Sequence, residues 1–436
     1  MEKLQLGVGR TVITPEIGCK LMGYRNDFYS DSLHDDLTAT AFWFRQGNTD
    51  AVMVNLTVCN TASYLRDLIA AKAAERYGIS AGAVTLSSTH THSGPFTATP
   101  TKLPEDWGVM DPTYIEGVFI PRILKAIGLA KDALRPVTMG YAKGESRIGV
   151  NRRQINADNS VKLGQNPWGS FDPTMTVLSF KDENGEIYAN MVHYGCHNTA
   201  AGRHPAISRD WSGIMVDRME QLTGGITAFF NGTAGDTGPR LSNGGTTGKG
   251  DYSYVHELGN VAAQDAMRIW KTIRSYRDES LRIADCTLTL PILPRESLEE
   301  AKKMQSSAVE GGSATQRAYA RHYKEVIESY ESGYVEKESY TFPSRIIRLG
   351  EVAFYGLPFE PFSGLALRIR DYSELPHPVC LGYTDGSNGY FPTRDQLALG
   401  GYEVTIARLR NLQPYAEDAD WHLITQVVEN LKKVSD

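Results

Sequence analysis

Val84-Thr85-Leu86-Ser87-Ser88-Thr89-His90-Thr91-His92-Ser93-Gly94-Pro95 is the stretch on which the reading of this chain turns. Residues 84–88 form a short β-favouring run, and the chain then passes into hydroxyl side chains, two histidines and a Gly-Pro stop. A polar loop at the end of a strand is where α/β folds commonly place their chemistry. Residues at i and i+2 of an extended chain project to one side, so His90 and His92 can face one cavity. Taken alone, such a pair reads more simply as two hydrogen-bonded loop histidines. What surrounds it changes that.

Working outward, apolar or alternating runs predict strands at residues 37–44, 51–56, 84–88, 175–180, 187–193, 226–230, 281–290, 345–348, 352–357 and 379–383, after an opening strand near residue 7. Helical spacing predicts helices over 64–77, 114–134, 211–222, 254–273 and 418–434. Strands alternating with helices make an α/β protein, and hairpin-like successions such as 37–44 and 51–56 call for mixed β-sheets flanked by helices. One large domain over 1–436 is expected, or two closely joined α/β halves. No internal repeat is legible. Residues 295–338, rich in Glu, Lys, Ser and Tyr around Gly311-Gly312-Ser313, read as a helical insertion. It is either a solvated hairpin or a mobile cover over the site.

Three more strand ends carry metal-ligating or acidic residues. His193-Tyr194-Gly195-Cys196-His197 closes one. Asn231 to Arg240, with Asp236, Thr237 and Gly238, closes a second and has the build of a substrate-facing loop. Leu357-Pro358-Phe359-Glu360 closes a third, and Asp210 heads the segment after Ser208-Arg209. Four such ends suggest one shared site, and zinc accepts this mixture of nitrogen and oxygen donors. His256 has Asn260 where HExxH needs its second histidine, and His204, His322, His377 and His422 lack comparable company.

The formal net charge of -6, from 45 basic and 51 acidic residues scattered along the chain, argues against a nucleic-acid partner. A small-molecule or lipid-like substrate remains. No apolar run of about 18 residues could form a transmembrane segment, and no leader peptide is visible. Five widely spaced cysteines form neither a CxxC motif nor a disulfide framework, so a cytoplasmic setting is expected. Cys196 is the one cysteine near a candidate ligand.

In this order, the segments resemble the N-terminal catalytic domain of the neutral/alkaline non-lysosomal ceramidase family. The resemblance starts at Gly7-Val8-Gly9-Arg10-Thr11-Val12-Ile13-Thr14-Pro15, continues through His34 and residues 85–95, and reaches Tyr402-Glu403. It implies a zinc hydrolase with His90, His197 (or alternatively His193), Glu360 and Tyr390 as metal ligands. It further implies that His92 and Tyr402 face the substrate and that Arg152 is aimed at the reacting carbonyl. Asp236 is grouped with these catalytic residues, and Thr237, Gly238 and Asp210 with substrate binding. Two departures stand out. Gly238 occupies the place of the family's serine in Gly235-Asp236-Thr237-Gly238-Pro239, so direct attack by zinc-activated water on an amide or related carbonyl is favoured over the true ceramidase reaction. The chain is also expected to lack the family's C-terminal immunoglobulin-like domain. A non-catalytic ligand-binding homologue is the third reading.

Overall fold

Residues 2–24, 28–98, 109–242, 252–307 and 314–435 are described by a computed structural model. In the first sheet the spatial order is Val84–Ser88, Thr49–Leu56, Thr38–Gln46, Gln5–Val12, with Arg135–Pro136 at the edge. The strands of Gln5–Val12, Thr38–Gln46 and Thr49–Leu56 are antiparallel neighbours. Val84–Ser88 joins parallel to Thr49–Leu56, and the crossover that a parallel neighbour requires is the helix Ser63–Tyr77.

The same order recurs twice. The second sheet runs Ile226–Asn231, Ile187–Tyr194, Thr174–Lys181, Thr138–Glu145, with Asp210–Thr223 in its crossover. The third runs His377–Leu381, Val352–Gly356, Ser339–Leu349, Leu281–Pro291, with Ser363–Tyr372 in its crossover. In both, only the last strand pairs parallel. A further helix follows each sheet: Ile120–Asp132, Tyr252–Trp270 and Ala419–Leu431. The chain is therefore three βββαβα units in succession, a repeat that the sequence conceals.

Burial explains the concealment. The three sheets share one inner core: Phe42, Phe44 and Met53 from the first meet Phe180, Met191 and Phe230 from the second, and Ile347, Phe354 and Leu381 from the third. The opposite faces pack under the helices, through Trp43 and Val54, Val177 and Val192, and Ile346 and Tyr355. Strands buried on both faces need continuous apolar runs rather than alternation. A core site accepts many apolar residues of suitable volume, so three units can keep one topology without keeping matching residues. Each buried Phe contributes about 1.5–3 kcal/mol.

Most expected elements are present, many displaced by a residue or two at their ends, but the strand expected over 345–348 runs from Ser339 to Leu349, and the helices expected to reach 273 and 434 end at Trp270 and Leu431. The helix expected over 114–134 is interrupted: a π-helical turn, Ile115–Phe119, precedes Ile120–Asp132. Pro121 explains it, because its nitrogen has no hydrogen to bond one turn back. The strands Thr138–Glu145, Gly149–Ile155 and Val161–Asn166 were not foreseen. Within the 295–338 insertion, Leu298–Ser307 and Ala314–Glu331 are helical and meet through Ala301, Tyr323 and Val326; the Gly311-Gly312-Ser313 break lies outside the described residues. Among the described residues no helix is long and apolar enough to cross a membrane.

The order of strands also fixes which end carries the chemistry. In each unit the first, third and fourth strands point the same way. Their C-terminal ends, and the connection from first to second strand, therefore share one face. Those connections are residues 13–37, 146–173 and 292–338.

Candidate metal centre

Third-strand ends lead to Cys59, His197 and Glu360; fourth-strand ends lead to His90, to residues 236–238 and to Tyr390. Each unit thus supplies groups to one place. His90 is turned inward by a left-handed backbone (φ 65°), rare for a non-glycine residue and worth of order 1–3 kcal/mol of strain. Its own N–H donates to the Val58 carbonyl at 2.9 Å and so holds that turn.

Both histidines are anchored through Nδ1. His90 Nδ1–H donates to the Cys59 carbonyl at 2.9 Å, and His197 Nδ1–H to the Ala234 carbonyl at 2.7 Å. These anchors assign the tautomers and leave each Nε2 with a lone pair. His90 Nε2 lies 3.3 Å and His197 Nε2 3.6 Å from Glu360 Oε2. That oxygen is buried without a hydrogen-bond partner. Two donors on one tetrahedral ion at about 2.0–2.2 Å stand roughly 3.3–3.6 Å apart. The trio fits a divalent ion.

Electrostatics agree. Burial pushes the His90 imidazole down, yet Cys59 and Glu360 outweigh it and hold its pKa up at about 10. Burial and the Arg152 guanidinium push His197 down to about 3. Burial raises Glu360, but His90 and His197 hold its carboxyl well below the usual range. Such a pocket holds an anion and calls for a cation, and a proton on His90 answers that demand when no ion does. His92 Nε2 sits 3.2 Å from His90 Nε2. Burial, then the charges of His90 and His197, keep His92 neutral.

Arg152 donates from Nε to Glu403 (2.8 Å), from Nη1 to His197 Nε2 (2.9 Å) and from Nη2 to the Tyr390 hydroxyl (2.9 Å). The second Glu403 oxygen accepts from Arg153 at 2.9 Å, so one carboxylate neutralises two buried guanidiniums in part. Tyr402 lies edge-on to Tyr390 with ring centroids 5.8 Å apart and is 39% exposed, which marks the mouth of the site.

His90, His92, Arg152, His197, Glu360, Tyr390 and Tyr402 are thus brought together. Other expectations need correction. His193 faces away: its Nε2–H donates to the Cys380 carbonyl at 2.7 Å between the second and third sheets. Asp236 is not aimed at a substrate, since both its oxygens accept from Ser363, through the backbone N–H and the hydroxyl, each at 2.8 Å. It caps the Ser363–Tyr372 helix and thereby positions Glu360 just before it. Asp210 accepts backbone N–H groups of Ala200, Ala201 and Trp211, and so braces the loop after His197. Thr237 and Gly238 are strand residues opposite Asn151 and Val150; Thr237 contributes its carbonyl to the His197 backbone N–H. Cys196 does stand beside a candidate ligand, with Sγ 3.5 Å from the His197 carbonyl, but it is not alone: Cys59 Sγ lies 3.6 Å from His90 Nδ1.

Sequence reading missed three more residues. Tyr383 stacks on His90 at 4.1 Å. Tyr24 meets His92 edge-on at 4.8 Å, and its buried hydroxyl has no hydrogen-bond partner. Gly23 (φ 120°) lies so close to His92 that a Cβ there would stand 2.3 Å from the ring. Only the Gly23 positive φ has a sequence signal, a glycine beside an aromatic in Met22-Gly23-Tyr24.

Three α/β units pool two histidines and a carboxylate at their strand ends, a donor group that could hold a metal ion. Residues 4–257 match the model of the N-terminal part of the neutral/alkaline non-lysosomal ceramidases, and the chain belongs to that family. It is 24% identical to the neutral ceramidase of Pseudomonas aeruginosa, over 92% of this chain and 68% of that protein. Neutral ceramidase B of Dictyostelium discoideum is 28% identical over 57% of this chain, a match that spans 35% of its own length. In three dimensions the crystal structure of the Pseudomonas aeruginosa neutral ceramidase superposes with a TM-score of 0.76 at 21% identity, over 98% of this chain and 74% of the other. A ceramidase complexed with C2 gives 0.75 at 19% identity, over 99% and 76%. These superpositions carry the fold.

Proposed function

We propose that this chain is a zinc-dependent amidohydrolase that cleaves the N-acyl bond of a lipid-like substrate. The observation that carries the reading is the trio of His90 Nε2, His197 Nε2 and Glu360 Oε2, all within 4.8 Å of one another. These three would hold the ion, with the Tyr390 hydroxyl as a fourth donor. Zinc, when bound, supplies Lewis-acid polarisation of a carbonyl and lowers the pKa of water to about 7.

The chain's own residues do the rest. The His197 lone pair cannot serve both a metal and Arg152, so with an ion held there one Arg152 N–H would be free to face the reaction space. There it can donate to the carbonyl oxygen as charge develops on it. Neutral His92 can take up a proton at Nε2. Glu403 holds Arg152 in place, and Tyr402 at the mouth contacts the substrate near the scissile group. Gly238 offers no nucleophile, and the Thr237 hydroxyl is 3.4 Å from Asp236 Oδ1. Attack by water therefore accounts for the site better than acyl transfer through a serine. The three units are taken to act as one catalytic body carrying the 295–338 insertion, in a reducing compartment that suits five unpaired thiols.

Ceramide itself is the second reading, favoured by the match to a neutral ceramidase along most of the chain. The test is metal content of wild-type, His90→Ala and Glu360→Ala proteins, followed by hydrolysis of N-acyl amides including detergent-solubilised ceramide. About one zinc per chain, lost in both variants together with amide cleavage, supports the proposal. Cleavage of ceramide selects the second reading. Zinc retained with silence across the panel leaves a ligand-binding homologue, and folded wild-type protein without zinc overturns the mechanism.

A further inference from the structure

A second pair of histidines lies outside this cluster. His34, on the 13–37 connection of the first unit, directs Nε2 at His256 Nε2 on the outer helix of the second, 3.3 Å away. The other ring nitrogen of His34 lies 2.8 Å from Asp35 Oδ1, so Nδ1–H donates to that carboxylate and Nε2 keeps its lone pair. Burial raises the Asp35 carboxyl, but its bonds to His34 and Arg209 hold it below the ordinary carboxylate value, and it stays ionised. A carboxylate behind an imidazole is the arrangement that fixes the tautomer and orientation of metal-binding histidines.

The rest of the surroundings are built as well. Tyr252 stacks on His34 with centroids 4.2 Å apart and planes 24° apart, which sets the plane of the ring. Asp35 is in turn held by Arg209 Nε and the Ser208 hydroxyl, each at 2.6 Å. His256 is exposed and the His34 side chain is 23% exposed, so an ion from solvent can reach both. Two nitrogens on one ion, each at about 2.0–2.1 Å and at the tetrahedral angle, stand roughly 3.3–3.4 Å apart. The pair already has that span. As a simple hydrogen bond from His256 to His34, 3.3 Å would be longer than the usual range for an N–H donor of about 2.7–3.2 Å.

We propose that His34 and His256 chelate a second divalent transition ion of the zinc, nickel or copper class, at the surface, with water completing its coordination. Imidazole suits all three ions. The ion would tie the first unit's connection to the second unit's helix. It would also sit one bond network from the centre, because the Ser208 carbonyl accepts from Thr91 Oγ1 at 2.8 Å, between His90 and His92.

Copper(II) alone is the probe. It is added to the purified full chain, and electron paramagnetic resonance is recorded for wild type, His34→Gln, His256→Gln and His90→Ala. A one-to-one, nitrogen-coordinated signal that both Gln variants lose and His90→Ala keeps supports the site. The expected loss is at least tenfold in affinity, with the zinc of the buried centre unchanged in His256→Gln. Copper bound alike by wild type and His256→Gln, or no signal beyond the one removed by His90→Ala, overturns it. Because the signal does not depend on hydrolysis, failure of the amidohydrolase reading leaves this result to stand or fall by itself.

Discussion

The His90–His197–Glu360 cluster and the His34–His256 pair both present histidine Nε2, in opposite settings. In the first, His90 and His197 are buried to within 2% exposure and their Nδ1 atoms are anchored on backbone carbonyls. In the second, one imidazole is exposed and the other is anchored on a carboxylate. Water can solvate the surface pair, so leaving it empty costs little. The buried anion of Glu360 has no such recourse and demands a cation at all times, a proton or a metal. Burial thus converts an optional site into an obligatory one.

The strongest way to break this comparison is His90→Ala. Metal content should fall from about one zinc per chain to near none, and amide hydrolysis to background, as measured by elemental analysis and product release. If the variant keeps both, burial does not make the centre obligatory.

His193 sharpens it next, being buried like His90 but with no carboxylate bonded to it. Burial lowers its pKa to about 4, against about 6.5 unfolded. The unfolded state then binds more protons between those values, so stability falls as pH drops from 6.5 through about 4. The loss is on the order of 3 kcal/mol from this group. Denaturant unfolding across that range should show a steep decline in wild type and a shallower one in His193→Gln, with His377, lowered to about 3 by burial, supplying part of the remainder.

Gly23→Ala separates chemistry from metal binding. The three atoms nearest the new methyl all belong to His92, and alanine at φ 120° is strained, so His92 is displaced first; zinc should remain while kcat falls roughly 100-fold, the scale of an ångström-sized misplacement. Zinc lost along with activity would show that His92 helps hold the ion. The smallest effect belongs to His256→Gln, with hydrolysis within about twofold of wild type at a surface position. A large loss would bring the surface pair into the catalytic machinery.

What was legible in the sequence followed from burial. Strands such as Thr38–Gln46 and Thr49–Leu56 are enclosed on both faces and stand out as apolar runs. Thr138–Glu145, an edge strand with Gly140, Lys143 and Gly144, gave no such signal. His90 and His92 were readable from their loop and Glu360 from its strand end, whereas the ligand role of Glu360 and the whole of Tyr390 came from the family resemblance, because nothing in Leu357-Pro358-Phe359-Glu360 says which way a carboxylate points. The same blindness explains Asp210 and Asp236. An aspartate in a Gly- or Ser-rich loop looks alike whether it meets a substrate or caps backbone N–H groups, and only its partners decide. Cys59, Tyr24 and Tyr383 act across sheets, where sequence separation hides the neighbour.

The division of the centre among three units has one more consequence. His90 belongs to the first unit, His197 to the second and Glu360 to the third, so the donors come within reach only after all three have docked. An ångström of slippage anywhere along the shared core is enough to spoil a bite of this size. With the proposed ion bound there, the pocket would act as a proofreader of assembly: a chain with one unit misplaced would fail to hold it, and ion uptake during refolding would report the last docking event.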